Sequence, residues 1–259
     1  MVAAIVFIFG LLIGSFLNVC IYRLPRNESL VFPASHCPAC SAAIPPWFNI
    51  PVVSYLLLRG RCSSCAASIS AIYPLVELLT ALLGLVLYLR FGLTLPFFVL
   101  ALLCAALIVV AFIDLEHQII PDEISLSGII IGFACSFFIP ELGWLNSLLG
   151  ILAGGGSLYL VAWGYERLTG KEGMGGGDIK FLAMLGAFFG WKAIPFIIFV
   201  SSLTGSIIGI VVMLIKKQDG KLAIPFGPFL VIGALVHIFC GPQLVDWYLN
   251  LFPGGGVRP

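Results

Sequence analysis

The sequence predicts an all-α, polytopic integral membrane protein with about eight transmembrane helices and one small polar domain between the first two. Three observations carry this prediction. Of the 259 residues, 61% are hydrophobic and only 10% charged, against about 25% charged in an ordinary soluble domain. The apolar residues fall in continuous runs, whereas a barrel would alternate in ten-residue segments, and helices are the remaining way to satisfy the backbone in lipid. Only residues 23–71 form a long polar stretch. The same composition, with mean hydropathy +1.14, excludes a soluble globular body and a disordered chain. A net charge of +1 offers no electrostatic case for a nucleic-acid partner.

Eight apolar runs follow in order: about 3–22, 72–90, 95–113, 124–139, 146–165, 179–190, 193–215 and 226–240. At about 20 residues per crossing they use roughly 160 residues. The fourth and sixth are short for a full span and need tilt, local thinning or burial against neighbours. The first run has no Lys or Arg before it, and Arg23 and Arg26 follow it. That order reads as an uncleaved first helix with its N-terminus outside and the next loop in the cytoplasm. Eight crossings then place ten of the thirteen basic residues in cytoplasmic segments: Arg23, Arg26, Arg59, Arg61, Arg167, Lys171, Lys180, Lys216, Lys217 and Lys221. Arg90, Lys192 and Arg258 stay outside. The organisation expected is a first helix (1–22), a cytoplasmic domain (23–71) and a membrane-embedded domain (72–259). Glycine pairs four apart (Gly150 with Gly154, Gly186 with Gly190, Gly205 with Gly209) read as close helix packing within the chain, with dimerisation the alternative. No fixed-period repeat is evident.

The polar stretch holds Cys37-Pro-Ala-Cys40 and Cys62-Ser-Ser-Cys65, with 21 residues between the pairs. Two such knuckles supply the four thiolates of a closed structural zinc site. A domain of about 50 residues has too small a core to stand alone, so a metal would supply the missing stability. Two disulfides or a redox pair are the alternatives, and a reducing cytoplasm disfavours the first. His36 beside the knuckle reads as a bystander. Cys20, Cys104, Cys135 and Cys240 lie in or beside apolar runs and read as packing residues.

Two aspartates meet one face of the membrane in this topology. Asp114 ends the third run, within Asp114-Leu115-Glu116-His117-Gln118-Ile119-Ile120-Pro121-Asp122, and Asp178 opens the sixth, after Gly173-Met174-Gly175-Gly176-Gly177. Paired carboxylates near low dielectric share a proton, so one serves as general base for water while the other protonates the amide. The structural alternatives are a helix end for Asp114 and a helix cap for Asp178. Glu77 in the second run is a rival acid, with a packing hydrogen-bonder or a residue lining the same cavity as the alternatives. Gly175, Gly176 and Gly177 leave room for an extended substrate strand. A plain hinge and a phosphate cradle are the alternatives, and no Gly-Lys-Ser/Thr follows to support the cradle.

At these residues the sequence resembles the type IV prepilin peptidases, bifunctional leader peptidases and N-methyltransferases of bacterial inner membranes. Gly14-Ser15-Phe16-Leu17-Asn18-Val19 resembles the family's first-helix motif, and Pro74-Leu75-Val76-Glu77-Leu78 the segment after its second cysteine pair. The Asp114–Asp122 run and the run from Gly170 to Asp178 resemble its catalytic stretches, the latter with the Gly-x-Gly-Asp signature of intramembrane aspartyl proteases. The resemblance implies that Asp114 and Asp178 are catalytic and that Cys37, Cys40, Cys62 and Cys65 bind zinc. It implies prepilin and type II pseudopilin substrates, cleaved at the cytoplasmic face. It also implies methylation of the new N-terminus with S-adenosylmethionine. Arg61 stands where many relatives carry lysine. The residues themselves offer no glycine-rich nucleotide loop on a strand, and a 50-residue loop is too short for a common methyltransferase domain. Two other functions remain: a peptidase without methylation, and a transporter with a zinc-stapled loop. The transporter expects midplane acids and inverted repeats, and neither is evident.

Overall fold

In the computed structural model, which describes residues 1–171, 173–216 and 224–250, every one of the eight apolar runs is a helix. They are α1 (Val2–Arg23), α3 (Ile72–Phe91), α4 (Leu95–His117), α5 (Asp122–Cys135), α6 (Trp144–Thr169), α7 (Gly176–Phe189), α8 (Ile194–Lys216) and α9 (Gly227–Asn250). The short α2 (Val53–Leu57) lies in the polar stretch. Among the described residues there is no strand, only two isolated bridges, His36–Ala43 and Arg61–Ser68.

The helix ends follow local chemistry. Gly92, Gly143, Gly170 and Gly190 sit at φ between +63° and +77°, where a side chain would clash and glycine stops or starts a helix without strain. Pro96 stands in the first turn of α4, where its missing N–H costs nothing.

Five helices are long and apolar enough to cross a membrane: α1, α3, α4, α6 and the stretch Trp191–Ile215 containing α8. The expected count of eight crossings is therefore not reached by length and composition alone. α5 and α7 have 14 residues each, or about 21 Å, against a hydrocarbon core of about 30 Å. The apolar part of α9 runs only over Gly227–Gly241. Many large apolar side chains face outward, among them Phe9, Leu89, Phe138 and Leu214, as a lipid-facing surface requires. Lys217, Lys221, Arg258 and Glu172 lie outside the described residues.

The chain packs as two units, Met1–Ile119 and the described residues from Ile120 onward. In the first, α1 lies along α3 so closely that a Cβ on Gly10 would stand 2.5 Å from Ala81 Cα, and one on Gly14 would stand 2.6 Å from Glu77 Cα. In the second, α6 and α7 touch backbone to backbone: Gly150 against Gly186, and Gly154 against the Leu182 carbonyl. The Ser147 hydroxyl, wholly buried, donates to the Ala187 carbonyl across the same seam at 2.7 Å. Gly150, Gly154 and Gly186 thus serve packing within the second unit. Apolar side chains have no hydrophobic reason to associate in lipid, so close van der Waals approach through small residues holds such helices together.

Candidate metal centre and candidate catalytic carboxylates

The polar stretch is built twice from one plan, a repeat that sequence inspection misses. His36 and Arg61, Cys37 and Cys62, Cys40 and Cys65, Ile44 and Ile69 stand 25 positions apart. In each copy the first cysteine's amide bonds a carbonyl five residues on (Ala42, 2.9 Å; Ala67, 2.8 Å). Its own carbonyl accepts from the residue after the second cysteine, Ser41 or Ala66. Those two residues hold the left-handed conformation, φ 57° and 59°. The isoleucine amide closes each loop on Ser35 or Gly60. Only the cysteines and Ala-x-Ile recur in sequence, too little to reveal the period without the hydrogen bonds.

The two loops bring Cys37, Cys40, Cys62 and Cys65 together, with all four sulfurs within 4.8 Å of one another. Cys37 and Cys65 sulfurs are 3.9 Å apart. A tetrahedral site with bonds of about 2.3 Å needs sulfur separations of about 3.8 Å, so the set fits a metal such as zinc. The amides of Cys65 and Ser64 point at the Cys62 sulfur and hold its thiol down to about 6. The Ala67 amide pulls Cys65 down too, but the Cys40 sulfur, desolvation and the Cys62 and Cys37 sulfurs outweigh it and push that thiol up to about 11. The Cys62 thiolate thus forms readily at neutral pH, and a cation is needed to ionise Cys65 there. His36 instead faces the Ala34 carbonyl and is outside the cluster. Cys20 and Cys104 are buried, Cys135 is half-buried and Cys240 exposed, and none joins the four.

Asp114 lies in the first unit, in the last turn of α4, and is buried. Its carbonyl accepts the Gln118 amide at 2.9 Å, where Gln118 turns left-handed and ends the helix. His117, one turn on, keeps its Nε2 buried without a hydrogen bond. Asp178 lies in the second unit, in the first turn of α7 after its N-cap Gly175. A carboxylate there is favoured by the helix dipole. Two residues on, Lys180 Nζ grips both oxygens of Asp122 at 2.7 and 2.8 Å. This ion pair, which sequence reasoning did not anticipate, ties the start of α5 to the start of α7.

The glycine run divides by surroundings. A Cβ on Gly173 would collide with the Tyr165 ring, and one on Gly177 would stand 3.1 Å from Ile120 Cβ. On Gly175 or Gly176 it would meet nothing within 4 Å. None of these glycines has positive φ, so no left-handed turn calls for them, and only Gly173 and Gly177 are short of room.

Glu77 is buried in α3 and accepts the Val52 amide at 2.7 Å, with the Ser15 side chain as a further partner. Val52 stands at φ 62°, ψ −48°, and the next amide bonds the Pro51 carbonyl at 2.6 Å. That is a γ-turn of the rare, strained kind. Arg23, counted above only for its charge, is buried and forks onto the Ser29 and Pro33 carbonyls, both at 2.7 Å.

Residues 8–91 match the family model of the bacterial peptidase A24 N-terminal domain, and residues 101–210 match that of the type IV leader peptidase family. A protein of Pseudomonas aeruginosa named prepilin leader peptidase/N-methyltransferase is 40% identical over 93% of this chain and 91% of its own length. Proteins of the same name from Aeromonas hydrophila and Xanthomonas campestris are 39% and 40% identical. They cover 96% and 93% of this chain, and 94% and 92% of their own lengths. No solved structure matches significantly.

Proposed function

Because the chain belongs to the type IV leader peptidase family, we propose that it cleaves the leader of type IV prepilins and type II pseudopilins at the cytoplasmic membrane face. We propose that it also methylates the new N-terminal amine. The observation that carries this reading is the similarity, over more than nine-tenths of the chain, to relatives named for both activities. Asp114 and Asp178, both within the stretch 101–210 that matches the family model, are the proposed catalytic pair.

In this reading the two carboxylates share one proton. The ionised one takes a proton from water, which attacks the scissile carbonyl, and the protonated one donates to the amide as it leaves. A transmembrane helix hides its amides in its own hydrogen bonds, so the cut must fall in an unwound segment at the membrane edge. The open space beside Gly175 and Gly176 suits such a strand. The orientation proposed is N-terminus outside and residues 23–71 in the cytoplasm of a bacterial inner-membrane protein, from the distribution of basic residues. It requires the short α5 and α7 to cross by tilt or local thinning.

Cys37, Cys40, Cys62 and Cys65 would hold zinc, which supplies folding free energy to residues 23–71 and takes no part in the cut. S-adenosylmethionine, when bound, supplies the methyl group. The test is a prepilin assay with labelled S-adenosylmethionine that reads cleavage and label separately. Asp114→Asn and Asp178→Asn should each abolish cleavage while the protein still inserts, and the pair should lose little more than either alone. Normal cleavage by either single variant ends the assignment of that residue.

A further inference from the structure

The first unit contains a cavity of about 380 Å³, within the range of about 300–1,000 Å³ typical of small-molecule sites. Its walls come from α1, the start of α3, the knuckle loops and the segment 48–58 between them. Tyr22, Phe48, Tyr55 and Tyr73 present rings, while Asn18 and Glu77 present polar groups. Cys37 and Cys62, one from each knuckle, also face it. This answers the objection that a loop of about 50 residues is too small for a methyl-donor site. The loop need supply only part of the wall, because two membrane helices supply the rest.

The cavity wall carries an acidic side chain with no basic partner. Glu77 is 7% exposed, and its partners among the described residues are the Val52 amide and the Ser15 side chain. Neither is basic. Arg23, also in the lining, spends its guanidinium on the Ser29 and Pro33 carbonyls. A buried carboxylate without a counter-charge is costly, and the fold adds a strained turn at Val52 to aim one amide at it. Strain of this kind persists where a site needs it. Two donors leave lone pairs free on a carboxylate, so a cation still has a place. The close approach of Gly14 to Glu77 Cα and the bond from the Asn18 amide to the Tyr73 carbonyl, 3.1 Å, show what the first-helix motif does. It presses α1 onto α3 along this wall.

From the cavity, its rings and its lone carboxylate, we propose that this is the methyl-donor site, with Glu77 facing the sulfonium of S-adenosylmethionine and an aromatic ring stacking on the adenine. The proposal rests on the methyltransferase reading above. Transfer moves the methyl to the amine lone pair; the carbon–sulfur pair stays on sulfur, and the amine releases a proton to water. The product is a neutral thioether, so the attraction of Glu77 ends with the reaction and the product leaves easily.

The test uses the purified, metal-loaded full chain. Binding of S-adenosylmethionine, of its thioether product and of sinefungin, which carries an amine in place of the sulfonium, is measured by equilibrium dialysis. The wild type should hold both cationic ligands about tenfold or more tighter than the thioether, and Glu77→Gln should bring all three within roughly threefold. A merely structural defect would weaken all three alike. As a second measurement, ultraviolet crosslinking of labelled S-adenosylmethionine to the wild type should place the label within residues 15–77. A variant that keeps the cation preference, or a label beyond residue 77, overturns the cavity assignment while measured methyl transfer leaves the function standing. A wild type that neither binds nor transfers overturns both.

Discussion

Residues 23–71 and the helices of the second unit are held together by opposite means. The polar segment has two copies of one loop, left-handed turns at Ser41 and Ala66, and few buried apolar side chains among its residues. Its four sulfurs converge on one point. The α6–α7 seam has no such centre; glycine backbones lie directly against each other. Where water surrounds a small segment, burial is too limited to fold it, and here four sulfurs stand ready for a metal such as zinc. Where lipid surrounds helices, only close contact distinguishes a partner helix from a lipid tail.

The largest effect should come from taking the metal away. Structural zinc contributes on the order of 10 kcal/mol in isolated knuckle peptides, comparable with the whole stability of a small domain. Metal analysis should find close to one zinc per chain, and changing both knuckles to serine should remove it and leave residues 23–71 open to proteolysis. In the metal-free protein, a thiol reagent at pH 7 should modify Cys62 before Cys65. The Cys62 thiol, held down to about 6, is ionised there, and Cys65, pushed up to about 11, is not. Because the Cys62 value is depressed from 9.0, its stabilising contribution is complete above about pH 9 and gone once pH falls below about 6. A metal-free chain with all four thiols oxidised would favour disulfides and contradict the proposed orientation.

Next in size is the seam. Gly186→Ala places a methyl into the Gly150 backbone and should cost about 1–3 kcal/mol, read as a lower melting temperature in detergent. Gly156→Ala makes the same chemical change in α6, where the added Cβ meets nothing within 4 Å. It should leave stability unchanged or raise it by up to about 1 kcal/mol. Equal behaviour of the two variants would remove the packing role assigned to the glycines.

Smallest for stability, and largest in what it discriminates, is Gly175→Val. The site is open and its backbone, at φ −70° and ψ 142°, accepts a β-branched residue, so melting should not move. Cleavage should fall severely if a substrate strand uses that space. The double variant with Gly177→Val adds a contact with Ile120 and so mixes packing with substrate access. Unchanged turnover in Gly175→Val would reduce the run to a hinge.

The amino-acid order alone determined the helical membrane class, the place of every long helix, the cysteine quartet and the two candidate carboxylates. Each is a local matter of apolar run length, ligand spacing or helix ends, read without knowing what packs on what. Tertiary structure decided the rest. The repeat of Cys37–Ile44 in Cys62–Ile69 emerges from hydrogen bonds that few identities mark. The grip of Lys180 on Asp122 joins residues 58 positions apart. Glu77, an isolated acid in an apolar run, became the wall of a cavity because Gly14 lets α1 approach it and a strained Val52 turns an amide toward it. Such relations depend on how separate segments meet, and chain order encodes that only through packing.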